Sequence, residues 1–124
     1  MMDRQARLES LLEELAGEKG VLGAALVSRD GLAVRASGRL AQSRETFSAM
    51  VATAMGATEI AIAELDGGKT HHMIATTDRL KLIVVGATRD LLLVAATQAD
   101  TPHDKLLPRL ESAAQNVALA LSGG

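Results

Sequence analysis

The side chains that could do chemistry are few, and their spacing does not suit it. Gly68-Lys69-Thr70 matches the end of a phosphate-binding loop. That motif also needs a glycine five positions before Gly68, where Ala63 stands. It further needs a strand before it and a helix after it, so that backbone N–H groups face the phosphate. Here the pattern runs the other way, from helix to strand, which predicts a turn. His71-His72 suggests a metal pair, but neighbouring side chains on a strand point to opposite faces, and His103 is remote in sequence. His103-Asp104 fits the start of a helix. No Gly-x-Ser-x-Gly elbow occurs, and no two carboxylates are spaced to meet in a cleft. The chain has no cysteine, which excludes disulfides and thiolate metal sites. The expectation is a protein that is not an enzyme, with no catalytic residues, no metal and no cofactor.

Composition narrows the partners. The chain has 124 residues, room for a single domain over 1–124. Its formal net charge is −2, with acidic and basic residues interspersed. No Lys/Arg cluster offers a footprint for a phosphate backbone, so no nucleic acid is expected as a partner. The N-terminal residues Met1 to Gln5 are polar and do not read as a signal peptide. The apolar region Leu80 to Ala96 contains Lys81 and is broken by Thr88-Arg89-Asp90, so it reads as two strands and not as a membrane insertion. With no cysteine and no leader, a cytoplasmic setting is expected.

The elements follow from periodicity. Leu8, Leu11, Leu12 and Leu15 fall on one face of a helix from about Asp3 to Ala16, ended by Gly17 and Gly20. Val21–Ser28 and Leu32–Ser37 read as a hairpin around Arg29-Asp30-Gly31. Ser43 to Leu65 has the length and alanine content of a long helix, with Ser43 as its cap and Asp66-Gly67-Gly68 as its end. Thr70–Thr76, Leu80–Gly86 and Leu91–Thr97 are predicted strands. Leu106, Leu110, Ala114, Val117 and Leu121 mark a last helix, capped by Asp104, with Pro108 admissible only near its first turn. Gly123-Gly124 are expected to fray.

The order is α-β-β-α-β-β-β-α. Short turns imply antiparallel pairing. Three strands are apolar on both sides and must be central, with helices over both faces. The polar strands Leu32–Ser37 and Thr70–Thr76 are then the edges. The fold class is therefore α/β (α+β): a three-layer α-β-α sandwich around a five-stranded antiparallel sheet.

The long helix has two uncharged faces. Phe47, Val51, Ala54, Thr58, Ala61 and Leu65 form one stripe, flanked by Met50 and Ile62, and are expected to face the core. The opposite side carries Ala49, Ala52, Thr53, Gly56, Ile60 and Ala63. A solvated face would carry Lys, Glu or Gln there. Small residues admit a second helix, and a symmetric partner copy is one reading. Alanine as a plain helix former on an exposed face is the other. Gly56 favours the first, because a mid-helix glycine costs about 1 kcal/mol relative to alanine.

The stretch Val21-Leu22-Gly23-Ala24-Ala25-Leu26-Val27-Ser28-Arg29-Asp30-Gly31-Leu32 resembles the opening hairpin of Roadblock (dynein light-chain roadblock) domains. The Leu-rich helix before it, the Ala-rich helix, the Asp66-Gly67-Gly68 turn and Leu80-Lys81-Leu82-Ile83-Val84-Val85 resemble that family too, in its compact prokaryotic form. The resemblance implies a profilin-like sheet of order 2-1-5-4-3. It implies a homodimer in which the long helices pack together and the third strands join edge to edge, adding Thr70, His72 and Ile74 to the helix residues of the interface. It also implies a Ras-like small GTPase as partner, with GTPase activation as a possible outcome. Contacts to that partner would come from Arg44, Glu45, Ser48 and Glu59, or these four form a solvated helix edge. The expected function is a non-catalytic homodimeric regulator or scaffold. The alternatives are a structural subunit of a larger signalling or motor complex, and a small-molecule sensor.

Overall fold

The computed structural model describes residues 3–42 and 44–122. The Ser43 cap and the Gly123-Gly124 end lie outside the described residues. The elements are α1 (Arg4–Ala16), β1 (Val21–Ser28), β2 (Ala33–Gly38), a 3-10 turn (Arg39–Gln42), α2 (Arg44–Glu64), β3 (His72–Thr76), β4 (Leu80–Gly86), β5 (Leu91–Gln98) and α3 (His103–Ser122). The strands form one antiparallel sheet of order β2-β1-β5-β4-β3. This is the expected architecture, and the polar strands are its edges.

Local chemistry sets the boundaries. Asp3 caps α1, its Oδ1 accepting from the Ala6 N–H at 2.8 Å. The β1–β2 turn closes through Gly31, at φ +95°, where a side chain would be strained. The Ser28 hydroxyl accepts from the Leu32 N–H at 2.9 Å. In mid-sheet, a Cβ at Gly23 would lie 2.8 Å from the Ser37 carbonyl oxygen and 2.9 Å from the Leu40 nitrogen. Glycine there lets the 3-10 turn fold back over β1.

The alternation of β5 feeds two cores. Leu93 and Ala95 face Leu8, Leu12, Leu110 and Val117 of α1 and α3. Leu92, Val94 and Ala96 face Val51, Ala52 and Met55 of α2. All five of those β5 residues from Leu92 to Ala96 are buried, as a strand covered on both sides must be.

Three details differ from expectation. β3 begins at His72, so Thr70 precedes the strand. Pro108 lies inside α3, beyond its first turn; it gives up the bond to the Asp104 carbonyl and remains exposed. His103 opens α3 and Asp104 sits within its first turn, where a carboxylate suits the helix dipole without capping it. In addition, β2 carries an irregularity, with Leu26 opposite Arg35 but Val27 opposite Ala33, so Val34 is an extra residue in that strand.

Truncating the core should be far costlier than truncating the surface. Leu110→Ala is expected to destabilise the chain by about 2–5 kcal/mol. Leu119→Ala, at a position 66% exposed, is expected to cost no more than about 0.5 kcal/mol. Urea midpoints measure both, and equal midpoints would contradict this packing.

Candidate partner-binding face

The candidate site is built on α2. Its buried residues are Ser48, Val51, Ala52 and Met55, with Phe47 packed beside them. This face seats on the sheet, and the Thr58 hydroxyl lies 3.3 Å from Met73 Sδ on β3. The exposed face carries Met50, Thr53, Ala54, Ala57, Ile60 and Ala61. Met50 and Ile60 are 58% and 67% exposed, unusually open for large apolar side chains.

The helix is therefore rolled by about a quarter turn from the orientation expected from sequence. Ala54, Ala61 and Leu65, expected in the core, are exposed. The interface candidates divide. Thr53, Ile60 and Ala63 are exposed, Ala49 and Gly56 are half-buried, and Ala52 is in the core. Ser48, expected to meet a partner, is 1% exposed and faces the sheet, so nothing outside the chain can reach it. The reason is that a helix apolar all round has no polar side to set its direction. Met50, Ala57 and Ala61 belong to the open face, and only that lack of charge could have pointed to them.

The open face has no free charge between Glu45 and Glu64. The helix has one further carboxylate between them, and it is engaged: Arg29 Nη1 donates to both Glu59 oxygens, at 2.8 and 3.0 Å. Thr53 and Thr58 turn their hydroxyls inward onto the Ala49 and Ala54 carbonyls, each at 2.8 Å. By length and composition this helix could cross a membrane, and 22% of that stretch is buried. Gly56 is not required by the packing of the chain itself, because a Cβ there meets nothing within 4 Å.

Beside this face lies the edge of the sheet. Among the described residues β3 is bonded to β4 alone, from His72 opposite Val85 to Thr76 opposite Lys81. His72 is exposed and Ile74 is half-buried on the α3 side. Glu45 is exposed at the start of α2, while the Arg44 side chain lies outside the description. Among the described residues no group of three or more His, Asp or Glu could hold a metal ion. His71 and His72 are both exposed at the start of β3.

The family model described as Roadblock/LC7 domain matches residues 7–97, from α1 to the end of β5. The chain belongs to the Roadblock/LC7 family. Among solved structures it is similar to the gliding protein MglB from Thermus thermophilus, at TM-score 0.85 and 22% identity, covering 100% of this chain and 95% of that one. It is also similar to an MglB described as having a tetrameric arrangement, at TM-score 0.83 and 26% identity, covering 97% and 91%. A Schizosaccharomyces pombe profilin shares the fold at TM-score 0.62 and 18% identity, covering 94% and 97%. No curated protein sequence matches. The Roadblock assignment and the profilin-like sheet order both agree with the reading from sequence.

The Arg29–Glu59 pair is about one-third exposed on each side, so its contribution is modest. A double-mutant cycle with Arg29→Ala and Glu59→Ala should return a coupling of about 0.5 kcal/mol. That coupling should shrink at about 1 M salt. A salt-independent coupling would mean that packing, not charge, joins the turn to α2.

Proposed function

We propose that this Roadblock domain is a non-catalytic regulator or scaffold that acts in the cytoplasm as a homodimer and engages a Ras-like small GTPase. The observation that carries the reading is the uncharged, exposed face of α2. An apolar surface of this kind on a soluble domain calls for a cover. Small residues at Ala54, Ala57 and Ala61 allow a second helix to approach closely, and Met50 and Ile60 supply area to bury. Gly56, with empty space at its missing Cβ, fits a close crossing and is otherwise an unnecessary cost in a helix.

The free edge of β3 supports the same symmetry. Two copies of His72–Thr76 laid edge to edge satisfy each other's backbone groups. Ile74 lies in that segment, and Thr70 enters from the loop before it. The interface then comprises Ala49, Thr53, Gly56, Ile60 and Ala63, joined by Met50, Ala54, Ala57 and Ala61, with Ala52 beneath it in the core. The helix ends beyond the crossing, near Arg44, Glu45 and Glu59, are the surface offered to the GTPase. Family membership supports a regulatory role in which the partner's own site performs the hydrolysis.

Ala57 tests the interface cleanly, because it is exposed in the single chain. Ala57→Glu is expected to leave the fold intact, with a single-chain stability change within about 0.5 kcal/mol. It should reduce the solution mass from twice the chain to once the chain, since two charges would be buried unpaired at the crossing. Light scattering coupled to size exclusion reads the mass. A wild type that runs as a monomer, or an Ala57→Glu variant that stays dimeric, would overturn the interface. Capture of a Ras-like GTPase from the same genome, loaded with GDP or a GTP analogue, tests the partner. Binding is expected for one nucleotide state and lost in the variant, and no binding in either state would overturn the GTPase assignment.

A further inference from the structure

At one end of the sheet three connections converge: the β1–β2 turn, the loop from α2 into β3, and the β4–β5 turn. They enclose, with α3, an open cavity of about 550 Å³, a size typical of small-molecule sites. Each connection contributes a cation, namely Arg29, Lys69 and Arg89, and His71 lines the same space. One carboxylate, Glu111 of α3, faces them. Among the described residues neither Lys69 nor Arg89 takes part in an ion pair, while Arg29 shares its charge with Glu59.

The position of Arg29 is held from several sides. Its backbone N–H donates to the Asp90 carbonyl at 2.9 Å, tying the first turn to the third. Its Nη1 holds Glu59. Its Nη2 lies 3.3 Å from where a Cβ of Gly86 would be. Gly86 thus makes room for the guanidinium to cross the end of the sheet. The wall also holds an unsatisfied group: Thr70 Oγ1 is buried and has no hydrogen-bond partner.

We propose that this cavity binds a small phosphate-bearing molecule. Lys69 and Arg89 are unpaired among the described residues, and Arg29, shared with Glu59, adds a third donor from a separate loop, a net positive arrangement suited to an oxyanion. The excess of cations over carboxylate disfavours a metal or an amine. The volume exceeds that of a bare phosphate and leaves space for an organic moiety. The chemistry is not that of the phosphate-binding loop suggested by Gly68-Lys69-Thr70, since a strand and not a helix follows it. The site opens on the α3 side of the sheet, opposite α2, and its Thr70 wall adjoins the β3 edge.

Titration of the full chain with glycerol phosphate, followed by amide NMR, tests this. Inorganic phosphate and sodium chloride at matched ionic strength serve as comparators. Saturable shifts are expected at Lys69–His71 and Ala87–Arg89, with glycerol phosphate at least as tight as inorganic phosphate and no saturable response to chloride. Lys69→Ala and Arg89→Ala, both at exposed positions, should each weaken binding about tenfold. Glu111→Gln should strengthen it severalfold, the opposite sign. Absence of saturable shifts, an equal response to chloride, or unchanged affinity in the lysine and arginine variants would overturn the site. The Ala87–Arg89 shifts and the Arg89→Ala and Glu111→Gln variants read the site away from the β3 edge and need no GTPase.

Discussion

The structure depends on a single constraint: α2 is apolar around its whole circumference, and the sheet can cover only one side of it. Burying Val51, Ala52 and Met55 on β1, β4 and β5 satisfies half of the helix. The remaining half, with Met50 and Ile60 largely exposed, leaves apolar area that water disfavours in proportion to its extent. Among the described residues nothing else in the fold relieves this. The terminal helices lie on the other face of the sheet, and the carboxylate on the flank is already held by Arg29.

The sheet makes this arrangement possible. A strand with side chains buried on both faces needs a helix layer on each, and β5 supplies such a strand through the middle of the fold. The α1–α3 layer and the α2 layer therefore pack on opposite sides of the same five residues, Leu92 to Ala96. The ends of the sheet are left to the connecting turns. The connections at one end bring together charges that are far apart in sequence, Arg29, Lys69 and Arg89.

Much of this was legible in the sequence. Leucines at helical spacing marked α1 and α3, and continuous apolar runs marked β1, β4 and β5, because one period suits each element. The sheet order came from resemblance to the Roadblock family. The orientation of α2 was not legible. Phe47 and Leu65 pull a helical wheel one way, while Ser48 and Ala52 carry little hydrophobic weight, yet the latter pair is buried on the sheet, with Phe47 only partly buried beside it and Leu65 exposed. Small residues pack against a sheet because they let the helix come close, and a hydropathy pattern does not register closeness. The cavity was also invisible, since its cations lie on three turns and meet only once the strands are paired.

The extra residue in β2 has a consequence for how copies of this domain can add to one another. A sheet with two regular open edges can grow without limit, each copy offering a fresh template, and the result is a ribbon. Here the β2 edge is kinked at Val34, and Arg35 is drawn back toward Gln5 and Glu9 of α1. That edge is a poor template. A domain with one usable margin could be zipped along the sheet once, and a further copy would find no template there.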